Sequence, residues 1–167
     1  MSSDATIRQN YARTEIYDKM VDEWDIFDTY VDFFVFAASV GYRVSSRSDV
    51  AGYDEDEYTG EGEMLWMHFT NKAAYRAVAA SIAYQYTGNA EALTDPDLQL
   101  DVLARYARAG VEALATEFGD SQSTPRDGLV SFIDDYEDID ESKRSDEVLD
   151  EIITSFDRDM FNMGEGA

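Results

Sequence analysis

Cysteine is absent from the 167 residues, which excludes disulfides and thiolate metal sites. Histidine occurs once, as His68, inside the apolar run 64–69. A catalytic or metal-ligating histidine needs partners at ligand spacing, and there is neither a second histidine nor a cysteine to supply them. His68 therefore reads as a half-buried structural residue. Lysine is nearly missing: Lys19, Lys72 and Lys143 are the only three, and the other ten basic residues are arginine. No apolar run approaches the roughly 20 residues that span a bilayer; the longest, 33–40, already contains Ser39. The opening MSSDATIRQNYARTE lacks the apolar stretch of a secretory leader, so a cytoplasmic protein with no membrane contact is expected. Phosphate-binding glycine loops, nucleophile elbows and kinase signatures are missing too. No motif points to catalysis, and no cofactor is implied.

What the chain does have is acid. Against 13 Lys and Arg stand 36 Asp and Glu, a formal charge of −23. High charge with low hydrophobicity marks disordered chains, but 44% of these residues are hydrophobic and 13% aromatic, enough for a folded domain. At low salt so many like charges oppose compaction. At molar salt the Debye length falls to about 3 Å and the repulsion is screened. Sparse lysine and abundant aspartate fit a halophilic source; the alternative is an acidic mesophilic protein such as a nucleic-acid mimic. Residues 1–110 hold nine basic and 19 acidic residues, whereas 111–167 hold four and 17. The acidic C-terminal part, 120–167, reads as a helical extension of a single 1–167 domain, with residues 1–12 and 162–167 flexible.

Periodicity predicts an all-α fold of about six helices. The first spans about 13–27, with Ile16, Met20, Val21, Trp24 and Phe27 at helical spacing. The second is capped by Asp28 or Thr29, is apolar all round at 33–38 and stops at Gly41 as its C′ residue. Residues 42–62 read as a long exposed loop, and 64–69 as a strand that pairs with 42–46 in a small hairpin. The third helix runs from Lys72 to Tyr86 behind an Asn71 cap and stops near Gly88. Ala79, Ile82, Ala83 and Tyr86 share its inward face. In the fourth, Asp95 caps, Pro96 takes the first turn, and Leu100, Leu103, Ala107, Val111, Leu114 and Phe118 form one stripe ending at Gly119. Linker 120–124 leads to a fifth helix from Pro125, with Leu129, Phe132, Ile133 and Tyr136 inward. Linker 137–145 leads to a sixth, capped by Ser145.

Three chemistries are candidates within this frame. Asp54, Asp56 and Tyr58 open like a calcium loop, but Thr59 replaces its glycine and Leu65 its bidentate glutamate. Asp138, Asp140 and Ser142 fail in the same way. Asp97 with Glu141 and Lys143 mimics a nuclease motif, yet such carboxylates must converge on a metal from a sheet. The rare cations carry more information. Arg43 and Arg47 follow the second helix, Lys72 and Arg76 lie four apart in the third, and Arg105 and Arg108 share one side of the fourth. Each can contact a phosphate or a partner; the ordinary alternative is pairing with a nearby carboxylate. Trp66 joins these candidates if it is accessible.

One stretch stands above the rest: Phe27-Asp28-Thr29-Tyr30-Val31-Asp32-Phe33-Phe34-Val35-Phe36-Ala37-Ala38-Ser39-Val40-Gly41-Tyr42-Arg43. It resembles the F-x-x-x-x-D-x-F-x-x-A-A-S-x-G-[FY]-R signature of the DNA phosphorothioation-associated protein 4 (Dnd system-associated) family. Phe69-Thr70-Asn71 before an alanine-rich helix, and Leu103-Ala104-Arg105-Tyr106-Ala107 with Gly110-Val111-Glu112, look similar too. The resemblance covers about 14–118 and leaves the acidic C-terminal part unplaced. It implies a non-catalytic accessory or regulatory subunit of a phosphorothioation-linked anti-phage restriction system. Such a subunit would contact the system's larger protein components and associate with DNA only indirectly. A DNA-contacting regulator and a carboxylate-built, metal-dependent nuclease or hydrolase are the alternatives. The sequence does not indicate an oligomeric state.

Overall fold

The computed structural model describes residues 6–118 and 126–135. By its packing the chain divides into two compact units, Met1–Ser121 and Gln122–Ala167. In the second unit residues 126–135 are helical, and Leu129 and Phe132 are buried. Linkers 120–124 and 137–145, the sixth helix and the tail 162–167 lie outside the described residues. The described fold is mostly helical, with one small two-stranded sheet.

The first unit is built on a crossing of two helices. Helix α2 (Tyr30–Val44) starts where the Thr29 hydroxyl accepts the Asp32 amide at 3.2 Å, an N-cap that satisfies a free helix donor. Its all-round apolar centre buries Phe33, Phe34, Ala37 and Ala38 completely. Helix α6 (Pro96–Phe118) starts at Asp95, whose carboxylate accepts the Leu98 amide at 3.1 Å. The expected stripe from Leu100 to Leu114 is buried along it. A Cβ on Gly41 would lie 1.8 Å from the Tyr106 carbonyl oxygen, and one on Gly110 would lie 1.8 Å from that of Ala37. No side chain fits, so the two backbones touch. Gly41 is thus a crossing residue and not the expected helix stop. Helix α2 continues to Val44, and the Ser45 amide still donates to the Gly41 carbonyl at 2.9 Å.

The hairpin also differs from expectation. Strand β2 (Gly62–Leu65) pairs antiparallel with β1 (Arg8–Tyr11), Arg8 opposite Leu65 and Tyr11 opposite Gly62. Residues 42–44 spend their backbone groups inside α2 and have none left for a ladder. Residues 8–11, within the stretch 1–12 expected to be flexible, form β1, where Tyr11 is 3% exposed. A 3-10 turn, Trp66–His68, follows β2.

Helix α1 (Glu15–Asp18) runs into a π-helical turn, Lys19–Glu23. It stops earlier than the spacing predicts, because Asp25 adopts a left-handed φ of 51°. The expected loop 42–62 contains α3 (Arg47–Ala51), capped by Ser46, and α4 (Glu55–Tyr58). Each is one turn long and anchored by one buried residue, Val50 or Tyr58, too short for periodicity to register. Helix α5 (Ala73–Thr87) is preceded by Lys72 rather than Asn71 and ends on Gly88 at φ 69°, as expected of an αL stop. Ala79, Ile82 and Ala83 face inward. A 3-10 turn, Ala90–Thr94, connects α5 to α6.

Candidate interaction surface

The cations of the first unit fall into two groups. Arg105 is half-buried: its Nε donates to Asp101 at 3.2 Å, and its other nitrogens donate to the Tyr58 hydroxyl oxygen at 3.0 Å and the Val50 carbonyl at 3.4 Å. The guanidinium lies 4.3 Å from the Tyr58 ring centroid, and Tyr58 gives its own proton to Asp101 at 2.7 Å. Burial first, then that hydrogen bond, pushes the Tyr58 hydroxyl up to about 12. Arg108 donates to the Glu57 carbonyl at 2.6 Å and pairs with Glu112. These two arginines strap α3 and α4 onto α6. Asp54 and Asp56 therefore belong to a strapped helical turn, not to a calcium loop.

Lys72 is also engaged, 3.0 Å from the Asp32 carboxylate, which accepts the Tyr75 hydroxyl proton as well. Burial raises the Asp32 carboxyl, but the bonds from Tyr75, Lys72 and Thr29 outweigh it and hold the group below its usual range. Arg13 donates to Asp18 at 2.9 Å and to the Tyr30 hydroxyl oxygen at 2.8 Å, and that hydroxyl lies 2.6 Å from Asp22 and 2.8 Å from Asp18, either of which can accept its single proton. The cleft beside them, lined by Tyr11, Arg13, Tyr30, His68 and Lys72, is neutralised by the protein's own acids. His68 is exposed there, not half-buried as expected. Trp66 does not meet the condition set for it: it is 7% exposed and stacks on Phe69, centroids 5.3 Å apart and planes 5° from parallel.

Arg43, Arg47 and Arg76 are exposed. Arg47 lies over the Tyr86 ring at 5.6 Å. Tyr86 and Tyr42 both pack edge-on against Tyr106, at 6.2 and 5.6 Å. The ends of α2 and α5 thus converge on an arginine–tyrosine patch, with Tyr42 40% exposed. Arg76 belongs to the other end of α5, ten residues or about 15 Å from Tyr86 along the axis. The structure therefore places Arg47 at this patch, with Arg43 exposed near the end of α2, and separates Arg47 from Lys72 and Arg76. Among the described residues no group of three or more His, Asp or Glu converges as a metal would require. Asp97 opens α6, while Glu141 and Lys143 lie outside the described residues. No described helix is long and apolar enough to cross a membrane.

The family model for DNA sulphur modification system-associated protein 4 matches residues 6–152. The chain belongs to this family. Comparison with curated proteins and with solved structures gives no match. The family match takes in β1, the α2–α6 crossing and the arginine–tyrosine patch. It also runs past residue 118, so most of the acidic C-terminal part belongs to the family's length, contrary to the narrower extent expected from the motifs.

Sequence reasoning overlooked Tyr42, Tyr86 and Tyr106, but a signal for them exists. No acidic residue occurs between Asp32 and Asp49, nor between Glu63 and Glu91. In a chain of −23 these are the conspicuous gaps, and the fold brings the end of one, with Arg43 and Arg47, against the end of the other, with Tyr86.

Proposed function

We propose that this member of the family is a non-catalytic accessory or regulatory subunit of a phosphorothioation-linked anti-phage restriction system. In this reading it works by contacting the system's larger protein components, in a salt-rich cytoplasm. One observation carries the reading: an exposed arginine–tyrosine patch forms where two acid-free stretches of an otherwise acidic sequence meet. Tyrosine and arginine are the residues that concentrate binding energy in protein interfaces. The two stretches that meet there, 33–48 and 64–90, carry no carboxylate of their own to repel a partner.

The test is co-expression of the tagged chain with the sulphur-modification and restriction proteins encoded beside it. Co-elution is expected, with Arg47→Glu weakening it. Recovery of the chain alone, together with unchanged restriction after deletion of its gene, would sink the proposal. Arginine beside exposed aromatic rings also suits single-stranded nucleic acid, so direct DNA contact is the second reading. The net charge opposes it, and a mobility-shift titration across salt decides between the two.

A further inference from the structure

The outward side of α5 breaks the rule that the rest of the surface obeys. Opposite the buried Ala79, Ile82 and Ala83, a stripe of Ala73, Ala77, Ala80 and Tyr84 faces solvent, with Arg76 and Ser81 beside it. Tyr84 is 40% exposed; Ala73, Arg76, Ala77 and Ser81 are exposed and Ala80 partly so. A solvated helix face normally carries charged residues. This one has no charge along its centre and no acid anywhere, in a chain with 36 acidic residues. The nearest acids in sequence, Glu63 and Glu91, lie beyond the two ends of the helix.

Two bodies of net charge −23 can associate only where contact does not press carboxylates together. The α5 face meets that condition, and its charge and ring are self-complementary in one orientation. If two α5 helices pack antiparallel about a twofold axis at Ala80, residues four positions to either side face each other. Arg76 of each copy then meets Tyr84 of the other, which forms a cation–π pair at each rim. Parallel packing would instead set Arg76 against Arg76. At the axis Ala77, Ala80 and Ser81 are small enough for helix axes about 8 Å apart.

We propose that the outward face of α5 binds a second copy of this chain, antiparallel and isologous, with Arg76 of each copy over Tyr84 of the other. A helix of 15 residues is about 22 Å long, so the contact falls short of the roughly 800 Å² per partner of a standard stable interface. The dimer is therefore concentration-dependent. Salt screens the repulsion between the acidic bodies, so association strengthens as salt rises, the reverse of an assembly held by ion pairs.

Because the chain has no cysteine, single-cysteine variants report proximity cleanly. Sedimentation of the full chain at molar potassium chloride is expected to approach twice 18.8 kDa as concentration rises, and to fall back toward the monomer at lower salt. Ala80→Cys should form a disulfide-linked dimer under mild oxidation much faster than Ser48→Cys, a control on a different exposed helix. Ala77→Glu should restore the monomer with an unchanged thermal melt. A monomer at every concentration and salt, equal cross-linking of the two cysteine variants, or a dimer that survives Ala77→Glu would each overturn the proposal.

Discussion

The two arginine pairs that flank the α2–α6 crossing differ in what surrounds them. Arg108 lies two residues before Gly110, and with Arg105 it is spent on groups of the protein itself: Asp101, Glu112, Tyr58 and the carbonyls of Val50 and Glu57. Arg43 lies two residues after Gly41, and with Arg47 it is exposed in a stretch without acid. Spacing alone makes the pairs look equivalent. Their surroundings separate them: an arginine four residues from a carboxylate on its own helix is drawn into architecture, whereas Arg47, in an acid gap, lies exposed over an aromatic ring. On the proposed reading, a gap in the acidic sequence marks a binding surface better than the presence of cations.

The largest effect should come from the crossing that positions both pairs. Gly110→Leu puts a side chain where even a Cβ would sit 1.8 Å from the Ala37 carbonyl oxygen, so the helices must separate. A loss on the order of 4 kcal/mol or more is expected, close to the entire stability of many domains. A denaturant melt that left Gly110→Leu within about 1 kcal/mol of the parent would show that the backbones are not in contact. Next comes Arg105→Ala, which removes charge-assisted hydrogen bonds in a half-buried setting and leaves Asp101 with the Tyr58 hydroxyl proton but no counter-charge. A loss of about 2 kcal/mol is expected, together with increased proteolysis between α3 and α4.

The long elements were legible because each carries an independent local signal. Thr29, Asp95 and Gly88 act as caps where spacing placed them, and the Leu100–Leu114 stripe is buried as read. Gly41 reads as a stop because one residue type serves both a helix stop and a backbone crossing; only Gly110, on another helix, distinguishes them. The partner of β2 was illegible for a similar reason: β1 lies more than fifty residues upstream, and no local pattern selects it over 42–46. Trp66 failed because the 3-10 turn at 66–68 breaks the strand alternation and turns its indole inward. The pairing of Arg105 with Asp101 and of Arg108 with Glu112 was written in the i,i+4 spacing, and the structure adds the carbonyls they also hold.

The inner arginine's surroundings can be tested by pH as well. Tyr58 is pushed up to about 12 from its ordinary 10.0. A raised tyrosine pKa means that the folded state keeps its proton longer. Its contribution is complete below about pH 10 and is lost as pH climbs through 10 toward 12. Asp32 works at the opposite edge: its lowered pKa contributes above the usual carboxylate value of 3.8 and is lost as pH falls through the folded value. Alkaline titration of tyrosine absorbance in the folded protein should show a late-ionising fraction, to which Tyr30 and Tyr75 also contribute, that shrinks by one tyrosine in Tyr58→Phe. A late fraction of undiminished size in that variant would detach Tyr58 from the Arg105–Asp101 network.

The smallest stability effect belongs to the outer pair, and it is the one that makes the comparison useful. Arg47 contributes an exposed cation–π contact with Tyr86, worth roughly 0.5–1 kcal/mol, so Arg47→Glu should melt within about 1 kcal/mol of the parent. Its consequence should lie elsewhere. The substitution closes the acid gap, and partner co-elution should fall although the fold is intact. An Arg47→Glu variant as unstable as Arg105→Ala would place both pairs in the architecture, and the acid gap would then no longer distinguish a binding surface from a structural one. A variant stable and still fully bound would leave the arginine exposed but move the contact elsewhere on the acid-free surface, where α5 is the next face to test.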